Sequence, residues 1–278
     1  DWTDNSTNTS FTKTGLTLSS GTTYYVSARA TDVAGNVSTT VTSDGATVDT
    51  AAPVAGTVFD GTDSDIDWTN STSILTATWG GFSDALSGIE KYEYAIGTTS
   101  GGTDVVDWTD NSTNTIITNT GLTLTNGTTY YISVRSTDNV GNVSTVVSTD
   151  GITVDTDAPV ISSVIEGSLT ADIDYQNSDT TLIIVWTGSD AASGIAQYEY
   201  ALGTASGEAN TVTWTSAGLD TFTTLTGINL TEGTTYYASA RATDVAENLS
   251  AVASGDGITI DLTAPVAGTV LDGTGEDI

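Results

Sequence analysis

The chain has 278 residues, 37% of them hydrophobic and 14% charged, enough to bury two or three domain cores and too apolar for disorder. Its 35 acidic and 5 basic residues give a formal charge of −30, which excludes nucleic acid and anionic lipid as attracted partners. The absence of His and Cys removes the usual general base, the usual transition-metal ligand, thiolate metal sites and disulfides.

In chain order the elements recur. Pro53, Pro159 and Pro265 stand 106 residues apart, as do Trp2, Trp108 and Trp214, Gly21, Gly127 and Gly233, and Arg29, Arg135 and Arg241. A one-residue slip between Trp79 and Trp186 closes again by Asp84 and Asp190. The period is too long for solenoid repeats of about 20–50 residues and fits an immunoglobulin-sized sandwich of about 100. It predicts four segments: 1–52, the C-terminal half of a repeat; 53–158 and 159–264, two complete β-sandwich repeats; and 265–278, the first strand of the next. The half repeat at 1–52 is expected to be completed by neighbouring chain or by another molecule.

Within 53–158, APVAGTV reads as an edge strand, where proline is tolerated. SILTATWG alternates Leu75, Ala77 and Trp79 with Ile74, Thr76 and Thr78, a half-buried strand. IEKYEYAIG follows the loop GFSDALSG and is read as the next strand. A short strand or turn surrounds Trp108, and NTIITNTGLTL is another strand. TTYYISVRSTD is the clearest, with Tyr130, Ile132 and Val134 inward and Tyr131, Ser133 and Arg135 outward. The turn DNVGN reverses the chain into NVSTVVSTDGITVD. With Thr, Ser, Gly, Asp and Asn abundant and Lys, Met and Arg scarce or absent, this predicts an all-β fold of serial Greek-key β-sandwiches in a tandem array. No apolar run approaches 18 residues, so no membrane span is expected in this segment.

The run GLTLTNGTTYYISVRSTDNVGNVS, with its copies GLTLSSGTTYYVSARATDVAGNVS and GINLTEGTTYYASARATDVAENLS, resembles strands E to G of fibronectin type III domains. DGITVDTDAPV looks like the junctions of bacterial immunoglobulin-like arrays, and FSDALSGIEKYEYAIGTTSGGTDVVDW is similar to repeats of long microbial surface proteins. The resemblance covers the whole chain. It implies the bacterial or archaeal tandem-repeat region of a large extracellular surface or filament protein. It also places Tyr24, Tyr130 and Tyr236 at a tyrosine corner and Trp79 and Trp186 in the core. Because strands C and F are neighbours in that fold, Glu93–Arg135 and Glu199–Arg241 are predicted cross-strand pairs.

The same topology gathers carboxylates at one end of each sandwich. The linkers bring Asp49, Asp155, Asp157 and Asp261, the B–C loops Asp84 and Asp190, and the F–G turns Asp32, Asp138 and Asp244. The preceding A–B loop, with Asp60, Asp63, Asp65 and Asp67, is expected to point at the same junction. Calcium takes six to eight oxygens, so Asp84, Asp138, Asp155 and Asp157 are the predicted metal ligands at the domain junctions. The alternative is solvated acidic loops whose Asp and Asn serve turn geometry.

No catalytic constellation is predicted, and no cofactor beyond calcium. The leading expectation is a non-catalytic extracellular or cell-surface stalk or fibre whose partners are neighbouring repeats of the same protein or adjacent copies in a filament. One alternative is an adhesive repeat that binds glycans or a surface through Trp108 and Tyr131, which requires those rings to be exposed. Another is a self-assembling filament subunit completed by strand exchange.

Overall fold

The computed structural model describes residues 1–62, 64–270 and 272. Asp63 of the acidic loop and the end of the 265–278 segment fall outside the described residues. All regular structure among the described residues is β-strand. Residues 1–52 contribute β1 (Thr23–Tyr24), β2 (Ser27–Ala28), β3 (Val41–Thr42) and β4 (Ala46–Thr47). The next stretch contributes β5 (Thr57–Asp60), β6 (Trp68–Thr69), β7 (Ile74–Gly80), β8 (Ile89–Gly97), β9 (Val106–Asp110), β10 (Ile116–Thr120), β11 (Thr129–Asp138), β12 (Val147–Ser148) and β13 (Ile152–Val154). The last set is β14 (Val160–Glu166), β15 (Tyr175–Gln176), β16 (Thr181–Ser189), β17 (Ile195–Gly203), β18 (Val212–Gly218), β19 (Phe222–Thr226), β20 (Thr235–Asp244), β21 (Ala253–Ser254) and β22 (Ile258–Ile260).

The chain divides into two compact units, one of residues 1–65, 76–119 and 130–151, the other of 66–75, 120–129 and 152–278. The second holds a whole sandwich. Its three-stranded sheet has the order β14-β16-β19, and its six-stranded sheet the order β15-β22-β20-β17-β18 with β21 also paired to β20. The strands of each sheet alternate, so one face turns inward. Leu182, Ile184 and Trp186 of β16 meet Leu202 of β17, Ala238, Ala240 and Ala242 of β20, and Ile258 and Ile260 of β22 in one closed core. Trp186 is fully buried and stacks on Tyr200, centroids 5.7 Å apart. Ala238, Ala240 and Ala242 of β20 stand where the equivalent strand of the other repeat, β11, buries Ile132, Val134 and Ser136.

In the first unit β5 pairs antiparallel with β7, setting Val58 opposite Trp79. There β8 lies between β9 and β11, with β12 on the other side of β11. Strands C and F, here β8 with β11 and β17 with β20, are adjacent in both repeats. The fold is thus the expected all-β array of fibronectin type III-like or immunoglobulin-like sandwiches.

Three local expectations need correction. Ser133 is fully buried rather than outward. The loop after β8 closes over it, with Gly101 N donating to its Oγ at 3.1 Å and Ser148 Oγ 2.8 Å away. The expected edge strand at APVAGTV pairs continuously only from Thr57; Val54 makes an isolated bridge to Ser83. Between them Gly56 lies so close to the carbonyl of Gly80 that no side chain fits there. The acidic A–B loop hides a short strand, β6 or β15, that runs parallel to the last strand of its repeat.

Candidate functional site

The linker carboxylates dock on the loops of the following sandwich, as the topology implied. In the first unit Asp49 Oδ2 accepts from Ser87 N at 3.2 Å and Asp49 O from Asn142 Nδ2 at 3.5 Å. In the second, Asp155 Oδ2 accepts from Ser193 N at 3.0 Å and Asp155 O from Asn248 Nδ2 at 2.9 Å. Each linker Asp joins one B–C and one F–G carboxylate. Asp49, Asp84 and Asp138 form one triad, and Asp155, Asp190 and Asp244 the other, each residue offering one oxygen within 4.8 Å of the others.

Backbone amides hold these groups. Asp84 Oδ1 accepts from Leu86, Ser87 and Gly88 N at 3.1, 2.7 and 2.8 Å, and the Gly88 amide leads in keeping its carboxyl below the ordinary range. At Asp138 burial opposes ionisation, yet the Asn142 side chain and amide, both at 2.8 Å, hold the carboxyl low. Asp155 is likewise low against desolvation, through Ser193 and the Asp157 amide. Each linker thus gathers three carboxylate oxygens, the donor type that hard cations take.

Of the predicted ligands, the structure therefore brings together Asp84 and Asp138, with Asp49, and places Asp155 with Asp190 and Asp244. Asp157 joins neither triad; its Oδ2 accepts from Asn126 Nδ2 at 2.8 Å, while Thr156 N donates to Asn126 Oδ1 at 3.0 Å. Asp60 and Asp65 do not reach a linker triad and gather with Asp150.

Lys91 and the three arginines have structural partners. Arg135 lies opposite Glu93 and Arg241 opposite Glu199, with Nε–Oε2 distances of 3.0 and 2.7 Å. Each guanidinium also covers an indole, Arg29 over Trp2, Arg135 over Trp108 and Arg241 over Trp214, at 4.2, 4.2 and 4.4 Å from the ring centroid. Sequence reasoning missed this cation–π contact, although both residue types recur at the 106-residue period. Trp108 and Tyr131 are half-buried. Tyr24 OH and Tyr236 OH accept from Ser19 N and Thr231 N, both at 3.0 Å, which is the corner bond the resemblance implied.

No family model matches the chain. It is 33% identical over 267 residues to Exoglucanase B of Cellulomonas fimi, a match spanning 91% of this chain and 21% of that protein. Among solved structures it is similar to the FN1–FN3 domains of chicken CNTN1, at 16% identity and a TM-score of 0.42, over 83% of this chain and 76% of that one. It is also similar to the fibronectin(III)-like modules of Clostridium thermocellum CbhA, at 13% identity and a TM-score of 0.42, over 77% of this chain and all of that one. A titin segment matches at 16% identity and a TM-score of 0.47, over 86% of this chain and 75% of the segment.

Proposed function

We propose that this chain is a non-catalytic, extracellular spacer: a stretch of stalk or fibre in which sandwiches 53–158 and 159–264 are joined by short acidic linkers that calcium stiffens. The observation that carries the reading is the stitched linker. Around residues 154–157 the chain is bonded backward, where Gly127 N donates to Val154 O at 2.8 Å and Asn126 holds Asp157. It is bonded forward through Asp155 to Ser193 and Asn248. A linker tied on both sides has few free torsions left, and Pro159 removes another.

Calcium at Asp49, Asp84 and Asp138, and at Asp155, Asp190 and Asp244, bridges the linker to two loops of the sandwich it enters. It also offsets the repulsion within each acidic group. The partners in this reading are neighbouring repeats or adjacent copies of the protein. The half-buried indole of Trp108, one face covered by Arg135, favours it over the glycan-binding alternative, which needs an open ring. The match to one fifth of an exoglucanase suits a segment that separates other parts of a larger secreted protein.

Small-angle X-ray scattering with and without chelator tests the reading. The expected outcome is a larger, better-defined maximum dimension in calcium. Identical flexible-chain profiles in both conditions would remove calcium stiffening.

A further inference from the structure

The inward face of β5 and of β14 carries an acid where strand alternation calls for an apolar side chain. Asp60 follows Val58 and Glu166 follows Val164 on the buried face, and both acids are fully buried. They occupy the same place in the repeat. Two exposed carboxylates join each: Asp65 and Asp150 at Asp60, Asp172 and Asp256 at Glu166, with one oxygen per residue within 4.8 Å of the others. Each group lies wholly inside one compact unit.

Neither acid is used up by the fold. Asp60 Oδ2 accepts from Gly151 N at 3.2 Å, and Glu166 Oε1 from Ala238 N at 2.9 Å. The remaining oxygens, Asp60 Oδ1 and Glu166 Oε2, are buried without a protein hydrogen-bond partner. A backbone amide accounts for one oxygen of each acid and leaves the other costly.

The two repeats reach this arrangement with different residues. In the first, the Thr149 hydroxyl takes the Ile132 amide at 3.1 Å and the shorter Asp60 suffices. In the second, the position equivalent to Thr149 is Gly255, and the longer Glu166 takes the equivalent amide, of Ala238. A Cβ on Gly255 would collide with both oxygens of Glu166. Side-chain length changed and a neighbour changed with it, while a carboxylate stayed in the same place. The loop acid is fixed as well: Asp65 Oδ1 accepts from Asp60 N at 3.1 Å and Asp172 Oδ1 from Glu166 N at 2.9 Å.

Burial, and then the charges of Asp65 and Asp150, push the Asp60 carboxyl up to about 7; burial, with Asp172 and Asp256, does the same for Glu166. Among the described residues, the ion pairs formed by Lys91, Arg135 and Arg241 involve none of these six acids. A site made of oxygen alone selects a hard divalent cation, and irregular geometry with open positions for water suits calcium.

We infer that Asp60, Asp65 and Asp150 bind one calcium ion inside the first sandwich, and Glu166, Asp172 and Asp256 a second inside the next. These sites are separate from the linker triads and stand whether or not the spacer reading does. The test counts calcium ions bound to the 278-residue chain by native mass spectrometry. It compares the parent with D60N/E166Q, with D150N/D256N, which alters only exposed positions, and with D84N/D190N at the linkers. Each of the first two variants is expected to hold two fewer ions than the parent. A parent that binds no calcium, or ions lost only in D84N/D190N, would overturn the inference; the latter result would leave the linker sites standing.

Discussion

Residues 1–52 and 213–264 carry the same motifs in different surroundings. In both, the corner tyrosine accepts the same backbone amide at 3.0 Å. Both stack an arginine on an indole, at 4.2 and 4.4 Å. Both close the F–G turn with Asn on Asp, Asn36 on Asp32 and Asn248 on Asp244, at 2.8 Å. Yet Tyr24 is 36% exposed and Tyr236 5%, and Val26 is 51% exposed where Ala238 is closed off. The ten-residue β20 is matched in 1–52 only by the pairs β1 and β2. Turns and corners are set by neighbours a few residues away; long ladders and burial need the strands equivalent to β16 and β17, which 1–52 does not contain.

The largest expected effect sits where the two regions differ most. Trp186→Ala should cost its sandwich about 3–5 kcal/mol, read from its unfolding transition in denaturant, whereas Trp2→Ala, at an indole 51% exposed, should leave that transition unmoved. Equal effects would mean that the core does not carry the stability.

Next comes pH. Asp60 and Glu166 have folded carboxyl values raised to about 7, above their ordinary 3.8 and 4.5. The fold therefore holds protons that the unfolded chain has released. In chelator, stability should be fullest below about pH 4 as far as these two acids are concerned, and fall by a few kcal/mol as pH rises to 7 and beyond. D60N/E166Q should flatten that fall. Asp84, Asp138 and Asp155, held low, contribute in the opposite sense, and their stabilisation is lost as pH drops through the acid range. Circular dichroism melts across pH 3–8 separate the two trends.

Smaller effects come from the shared motifs. Arg241→Ala removes a cross-strand pair and a cation–π contact, together about 1–2 kcal/mol; Arg29→Ala should cost less than half of that. Tyr236→Phe leaves the Thr231 amide without its acceptor and should cost about 1 kcal/mol, with Tyr24→Phe near zero because water replaces the phenol at an exposed site.

Much of this was legible in the sequence. Alternation in TTYYISVRSTD located β11 and its inward residues, and the 106-residue period with C and F adjacent found both Glu–Arg pairs. The linker triads were legible because loop order alone puts linker, B–C and F–G carboxylates at one end. Ser133 misled because alternation assigns a face but does not say what covers it. The Arg–Trp stacks and the β6–β13 pairing depend on which strands lie side by side, which periodicity does not report. The buried acids have a readable signal, an Asp or Glu two residues after an inward Val, but an acid at a strand end reads equally well as the start of the acidic loop that follows.

The proposed spacer requires a linker that calcium stiffens. The chain has no cysteine, so Thr115→Cys and Thr221→Cys, exposed positions one 106-residue period apart, can carry one spin-label pair. Double electron–electron resonance should give a single narrow distance distribution in calcium that broadens in chelator. A broad distribution in both conditions would refute a stiffened linker.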